Sequence, residues 1–206
     1  MKLLHLILTL EETLQHWTTS YGGYIYILLF LILFLETGII VMAFLPGDSL
    51  LLTLGILCST GHFDFWILIL VLSIGAILGD QLNYQLGQWF GNYIFKKDRK
   101  FIKKKHLNIT TKYFQKYGAI TILIARFIPM VRTYAPFIAG TAAMPRKKFI
   151  SYNIMGGTLW IITLLGAGYY LGQYPWIKQH YLWVILSMSV ISMLPMVISY
   201  FKNRAV

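Results

Sequence analysis

Apolar residues gather in long runs along this chain, at about 24–45, 49–59, 65–79, 117–143, 149–171 and 182–201. Several approach or exceed the roughly 20 residues that carry a helix across a bilayer. Residues 1–20 differ: Leu3, Leu4, Leu6, Ile7, Leu8 and Leu10 run into Glu11 and Glu12, with Leu14 and Trp17 beyond. That stretch is too short to span and predicts an interfacial N-terminal helix. The run at 24–45 stops at Pro46-Gly47-Asp48-Ser49, a helix break followed by two good N-cap residues. A short apolar segment follows, so a helix, a break and a short helix predict a re-entrant hairpin. Residues 65–94 predict one long helix with a glycine ridge, Gly75, Gly79, Gly87 and Gly91, of the kind that lets another helix come close. In 117–143 Pro129 and Pro136 interrupt the apolar run, giving a second broken hairpin. The segments 149–171 and 182–201 are joined by Tyr174-Pro175-Trp176, suited to a membrane interface, and Pro195 predicts a kink in the last helix.

Composition fits this pattern. The chain is 57% hydrophobic and 12% charged, with a mean hydropathy of +0.64; soluble domains carry about 25% charged residues. The 206 residues read as a single membrane domain, with no room for a separate soluble module. The net charge of +11 could suggest nucleic acid, but its distribution points elsewhere. Nine of the 18 basic residues fall in 96–116, three more at Arg146, Lys147 and Lys148, and two at Lys202 and Arg204. Such bias marks cytoplasmic loops. It makes 95–116 a basic cytoplasmic loop, able to attract anionic headgroups, and gives no reason to expect nucleic acid as a partner. The lone Cys58 excludes an intramolecular disulfide, and His5, His16, His62, His106 and His180 lack ligand spacing, so neither metal nor cofactor is expected.

Parity then fixes orientation. A hairpin that re-enters, or one that spans twice, returns the chain to its starting side. The N-terminus therefore lies outside and the C-terminus in the cytoplasm. Shifting the sequence by 85 residues sets Tyr84-Gln85-Leu86-Gly87-Gln88 against Tyr169-Tyr170-Leu171-Gly172-Gln173, and Gly55 against Gly140. The predicted architecture is an all-α polytopic membrane protein built on an inverted repeat. Each repeat, 24–94 and 117–173, is a broken-helix hairpin plus a transmembrane helix, with an extra transmembrane helix at 182–201. Inverted repeats with discontinuous helices are typical of secondary transporters, whose sites lie between the repeats.

Ionisable residues sit inside these apolar runs. Glu36 and Asp48 belong to the first hairpin, Arg126 and Arg132 to the second. Each costs at least about 2.5–3.5 kcal/mol at membrane depth, so they read as functional. Arginine keeps its charge there and offers phosphate a planar fork, making Arg126 and Arg132 a candidate anion clamp. Glu36 and Asp48 are candidate proton-coupling or gating acids. Asp80, beside the glycine ridge, is a secondary candidate that could equally be an interfacial or helix-bonded carboxylate.

These residues resemble the DedA family of bacterial membrane proteins, which shares a domain with eukaryotic VTT-type lipid scramblases. The resemblance rests on Glu36 with Phe44-Leu45-Pro46-Gly47-Asp48, on Gly79-Asp80 with Tyr84 and Gly87, and on Ala125-Arg126-Phe127-Ile128-Pro129-Met130-Val131-Arg132. Ala139-Gly140, Met144, Phe149 and Gly157 to Trp160 complete it. The family's essential acidic and arginine pairs fall on Glu36 and Asp48 and on Arg126 and Arg132; its usual basic residue after the Tyr-x-x-Gly glycine is Gln88 here. The resemblance implies a multi-pass protein of the bacterial cytoplasmic membrane, acting in envelope homeostasis that depends on the proton motive force. Some members look like translocases of undecaprenyl phosphate; others bear on phospholipid distribution or on tolerance to alkali and cationic antimicrobials.

The leading expectation is a translocase of a polyprenyl phosphate or a phospholipid, with protons and the bilayer as its other partners. Alternatives are a proton-coupled exporter of a small cation or drug, and a structural envelope-assembly factor in which the four charges form two buried ion pairs. No Ser-His-Asp set, metal cluster or phosphate loop supports an enzyme. Self-association is left open.

Overall fold

The computed structural model describes residues 22–39, 47–96 and 116–179. The predicted N-terminal helix at 1–20, nearly all of the predicted basic loop at 95–116 and the predicted C-terminal helix at 182–201 lie outside the described residues, as do residues 40–46 of the predicted first hairpin. Within them the regular structure is helical throughout: α1 (Gly22–Gly38), α2 (Gly47–Ser59), α3 (Phe65–Lys96), a 3-10 turn (Gly118–Ile120), α4 (Thr121–Ala125), α5 (Pro129–Arg132), α6 (Ala135–Thr141), α7 (Arg146–Leu171) and α8 (Pro175–Gln179).

Two of these helices are long and apolar enough to cross a membrane, Phe65–Phe90 within α3 and Arg146–Leu171. At about 1.5 Å per residue, each 26-residue stretch measures about 39 Å, more than the roughly 30 Å of a hydrocarbon core. Their surfaces are inside-out relative to a soluble helix. On α3 the exposed residues include Trp66 (75%), Leu70 (62%), Ile74, Leu78 and Trp89, whereas Ser73, Asp80 and Asn83 are buried. On α7 Ile154, Met155, Leu159 and Ile162 face outward while Asn153 is buried. A helix with apolar residues outside and polar ones inside is matched to lipid as its solvent. The expected bounds of 65–94 and 149–171 are each exceeded by a few residues.

The chain divides into two compact units. In the first, whose described residues are 22–29, 47–71 and 162–179, α2 crosses the end of α7 at close range. A Cβ on Gly168 would overlap the backbone of Leu52, and one on Gly55 would lie 2.9 Å from Cα of Gly168. Gly61, at φ +83, ends α2 in a left-handed turn closed by Gly61 N to Cys58 O and His62 N to Leu57 O, both 3.1 Å. Asp48 and Ser49 were expected to cap this helix. The helix instead begins at Gly47, putting the Asp48 carboxylate in its first turn, where the helix dipole favours negative charge.

The described residues of the second unit are 30–39, 72–96 and 116–161. Its core is Tyr84, Ile122, Ala125, Val131, Ala135, Ala139 and Phe149, with the Tyr84 and Phe149 rings stacked at 4.3 Å. The glycine ridge of α3 is shared between two partners. Gly75 and Gly79 receive α1, a Cβ on Gly79 lying 2.7 Å from Phe34 O. Gly87 receives α6, where a Cβ would lie 3.0 Å from Cα of Phe137.

The predicted break in 117–143 is observed in detail. Residues 118–141 form only short pieces, with α4 packed against both α5 and α6. Pro129 and Pro136 occupy helix starts, where a missing N–H costs nothing. Pro129 also accounts for Ile128 being extended (φ −118, ψ 104), since the residue before proline is disfavoured in a helix. Ala143 then adopts φ 51 at the end of α6, with Ala143 N bonded to Gly140 O and Met144 N to Ala139 O.

Candidate functional site

The ends of α1, α4 and α5 in the second unit each deliver a charged side chain inward. Glu36 sits in the last turn of α1, and Arg132 is the final residue of α5. Arg132 Nη2 donates to Glu36 Oε1 at 2.6 Å, with both side chains buried. The Arg132 guanidinium lies 4.8 Å from the centre of the Trp160 ring, a cation–π distance that adds attraction where water is excluded. Arg126 follows α4 as its C-cap. Its Nη2 donates to Asp80 Oδ2 of α3 and to Asn153 Oδ1 of α7. Asn153 in turn donates from Nδ2 to Ile77 O at 3.0 Å, which fixes its oxygen toward the arginine. Two further Arg126 donors, Nε and Nη1, are buried and have no hydrogen-bond partner among the described residues.

Glycine makes room for the Arg126 side chain. A Cβ on Gly156 would stand 3.3 Å from Arg126 Cδ, and one on Gly157 3.2 Å from Arg126 Nη2. The Gly157-to-Trp160 segment of α7 thus serves both arginines, the glycine end beside Arg126 and the tryptophan end under Arg132.

The five residues read from the sequence divide unevenly. Glu36, Asp80, Arg126 and Arg132 come together in the second unit as two buried ion pairs, Glu36 with Arg132 and Asp80 with Arg126. Asp48, expected to complete the acidic pair, belongs to the first unit and is half-buried in the first turn of α2. The carboxylate at Arg126 is Asp80, and the reading of Asp80 as an interfacial or helix-bonded carboxylate gives way to a buried ion-paired one. Asn83 and Asn153 went unread. Both are fully buried polar residues inside otherwise apolar helices, which is the signal that could have drawn attention to them. Asn83 donates from Nδ2 to Thr37 O at 3.2 Å and to Thr133 O at 2.9 Å.

Chemically, this is a charge-balanced cluster in a low-dielectric surrounding. Removing one member of a buried pair strands the other at a cost of about 3–5 kcal/mol, so each pair persists until something of like charge replaces a partner or a proton neutralises the acid. Arginine can exchange a carboxylate for a phosphate without changing geometry, because both accept from its planar fork.

Comparison with known proteins gives a consistent picture. Residues 45–170 match the VTT domain. The chain is 38% identical over 205 residues to Protein DedA of Escherichia coli K12, covering 98% of this chain and 94% of that one. It is 39% identical over 165 residues to the inner membrane protein YqjA of the same strain, covering 80% and 74% of the two chains. A membrane protein of Mycobacterium leprae is 38% identical over 169 residues, covering 82% of this chain and 76% of its own. No solved structure matches. The domain match and the near full-length identity make this chain a membrane protein of the DedA family, the family of the VTT domain.

Proposed function

We propose that the protein moves a lipid phosphate, a polyprenyl phosphate such as undecaprenyl phosphate or a phospholipid, across the bacterial cytoplasmic membrane, driven by the proton motive force. The observation that carries this reading is the state of Arg126. Its fork is buried, held by one carboxylate and one amide, and keeps two donors without a partner among the described residues. A phosphate oxygen supplies the acceptors such donors lack. In this reading the headgroup takes the place of a carboxylate at an arginine, and the displaced acid holds a proton. Asp80 and Glu36 are the acids in contact with arginine; Asp48 keeps a gating role in the first unit, by the family resemblance. The lipid tail remains in the bilayer.

The inverted arrangement of two repeats belongs to the same reading, with the N-terminus outside and the C-terminus in the cytoplasm. Its support is internal likeness. Gly55 of α2 packs on the end of α7, and Gly140, 85 residues later, lies against α3, where a Cβ would be 3.0 Å from Gln88 N. In each unit the second arm of a hairpin meets a long helix at a glycine, and each arm ends in the same left-handed turn.

Liposomes holding the purified protein test the proposal. Transbilayer movement of undecaprenyl phosphate should exceed that of protein-free liposomes and should respond to an imposed pH gradient. Arg126→Lys, which keeps the charge but loses the fork, should lower the rate at least about tenfold, as expected for a lost charge-assisted bond. Wild-type protein that moves no phosphate lipid would overturn the reading, and a folded Arg126→Lys protein at the wild-type rate would remove the fork from it.

One observation favours a second reading, a structural role in envelope assembly: both arginines already sit in ion pairs. Replacing Glu36 by Leu and Arg132 by Met together removes both charges of the pair, and such swaps are often neutral or stabilising. A double variant that folds and keeps full activity makes the pair structural; one that folds and moves no lipid makes it functional. The cation-exporter alternative, with Glu36 and Asp48 as its cation site, gains no such support, since the Glu36 carboxylate already faces a guanidinium group.

A further inference from the structure

We propose that Asn83 is a positioning residue whose side-chain amide ties the chain just after Glu36 to the chain just after Arg132, and so sets the register of that ion pair. Asn83 is completely buried on α3. Its Nδ2 donates one hydrogen to Thr37 O and the other to Thr133 O, at 3.2 and 2.9 Å. Both acceptors are backbone carbonyls, which can only accept, so chemistry alone fixes the amide with its nitrogen toward them. Thr37 stands at the end of α1, and Thr133 is the C-cap of α5. Carbonyls at helix ends lack the partner that a continuing helix would give them, and both threonines are buried away from bulk solvent. One side chain thus supplies two helix breaks, and each of those breaks presents, one residue earlier, a member of the 2.6 Å Glu36–Arg132 pair.

The rest of the Asn83 side chain argues that the two N–H groups are what the position requires. Oδ1 is buried with no hydrogen-bond partner among the described residues. A site selected for packing alone would take an apolar residue and avoid that unpartnered oxygen. The neighbouring Thr37 hydroxyl is already committed to Leu33 O at 2.9 Å, so it offers no substitute donor to the Thr133 carbonyl.

The consequence for transport rests on the lipid-phosphate reading. A clamp that holds Glu36 on Arg132 keeps phosphate out of the resting site and restores the pair after release. Without it, phosphate should compete more easily and the return step should slow. Half-saturating lipid concentration and turnover should therefore fall together. A residue that matters only for folding would lower turnover through the active fraction and leave half-saturation unchanged.

The test uses the full chain in lipid nanodiscs. Asn83→Leu removes both donors in a side chain of similar size, and Asn83→Asp removes the amide hydrogens at constant shape. Amide exchange followed by mass spectrometry should quicken roughly tenfold, the scale of losing two modest hydrogen bonds, in 33–39 and 130–136. Exchange in 47–59 of the other unit should stay as in the wild type. Unchanged exchange in the two segments, a uniform rise along the chain, or recovery of neither variant in folded form would overturn the positioning role. Liposome transport of undecaprenyl phosphate supplies the second arm: half-saturation and turnover falling together supports the clamp, and turnover falling alone overturns its part in transport. If wild-type protein moves no phosphate lipid, the transport reading fails while the exchange measurement still decides the clamp.

Discussion

At the scale of single residues, the second unit solves a solvation problem pairwise. Four charged side chains are buried among the described residues, Glu36, Asp80, Arg126 and Arg132, and each faces an opposite charge. Two buried asparagines hold the surroundings: Asn153 shares the Arg126 fork with Asp80, and Asn83 serves the two breaks. Asp80→Asn should therefore be costly although it is nearly isosteric. It keeps an acceptor but leaves the Arg126 charge without a counter-charge, a loss of about 3–5 kcal/mol. Thermal unfolding in detergent should show a large drop in midpoint, and Asp80→Leu combined with Arg126→Met should recover most of it; an unchanged midpoint in Asp80→Asn would remove Asp80 from the pair. The arginines and Glu36 were legible in the sequence because a charge in an apolar run stands out. The identity of each partner was not. Pairing depends on how the short helices turn within 118–141, and spacing along the chain carries no such information. Asn83 escaped notice for a different reason: an uncharged amide next to Asp80 and Tyr84 looks like the polar end of a helix until its burial is known.

At the scale of elements, glycine and proline placed most of the breaks and approaches in advance. Proline at 129 and 136 fell at helix starts, and the α3 ridge met helices at Gly75, Gly79 and Gly87. What the ridge did not disclose is that it serves two different partners, α1 and α6, because one four-residue spacing suits any helix. Ala143 is the element-scale surprise. It occupies the left-handed position after α6 that Gly61 fills after α2. Alanine pays a steric cost there that glycine does not. Relief of a left-handed penalty of about 1–2 kcal/mol, less about 0.4–1 kcal/mol for the freer unfolded glycine, should let Ala143→Gly raise the unfolding midpoint modestly in detergent melts; a lower midpoint would mean that the left-handed turn carries no strain. Gly140→Ala should do the opposite, and strongly. The new methyl would meet the backbone of Tyr84 and Gln88, which cannot step aside as a side chain could. Loss of at least about 2 kcal/mol is expected from forcing atoms into a packed crossing, seen as reduced yield of folded protein.

At the scale of the molecule, the sequence disclosed the solvent before it disclosed the site. Apolar runs and basic loops predicted a helical membrane protein, and α3 and α7 have the outward apolar faces that lipid demands. The shift of 85 residues aligned Gly55 with Gly140, and each of these glycines packs against a long helix. Division into two units built from both halves was not legible, because it arises when α3 and α7 each pass from one unit into the other. The two buried ion pairs carry a last consequence. Their charges sum to zero, so the two pairs present no net charge for the voltage across the membrane to move. An entering monoanionic headgroup would leave one negative charge uncompensated unless a proton comes with it. Transport by this route is then electroneutral: an imposed pH gradient should drive it, whereas a potassium diffusion potential set with valinomycin at equal pH should leave the rate unchanged. A rate that follows the diffusion potential would mean that the headgroup crosses without its proton.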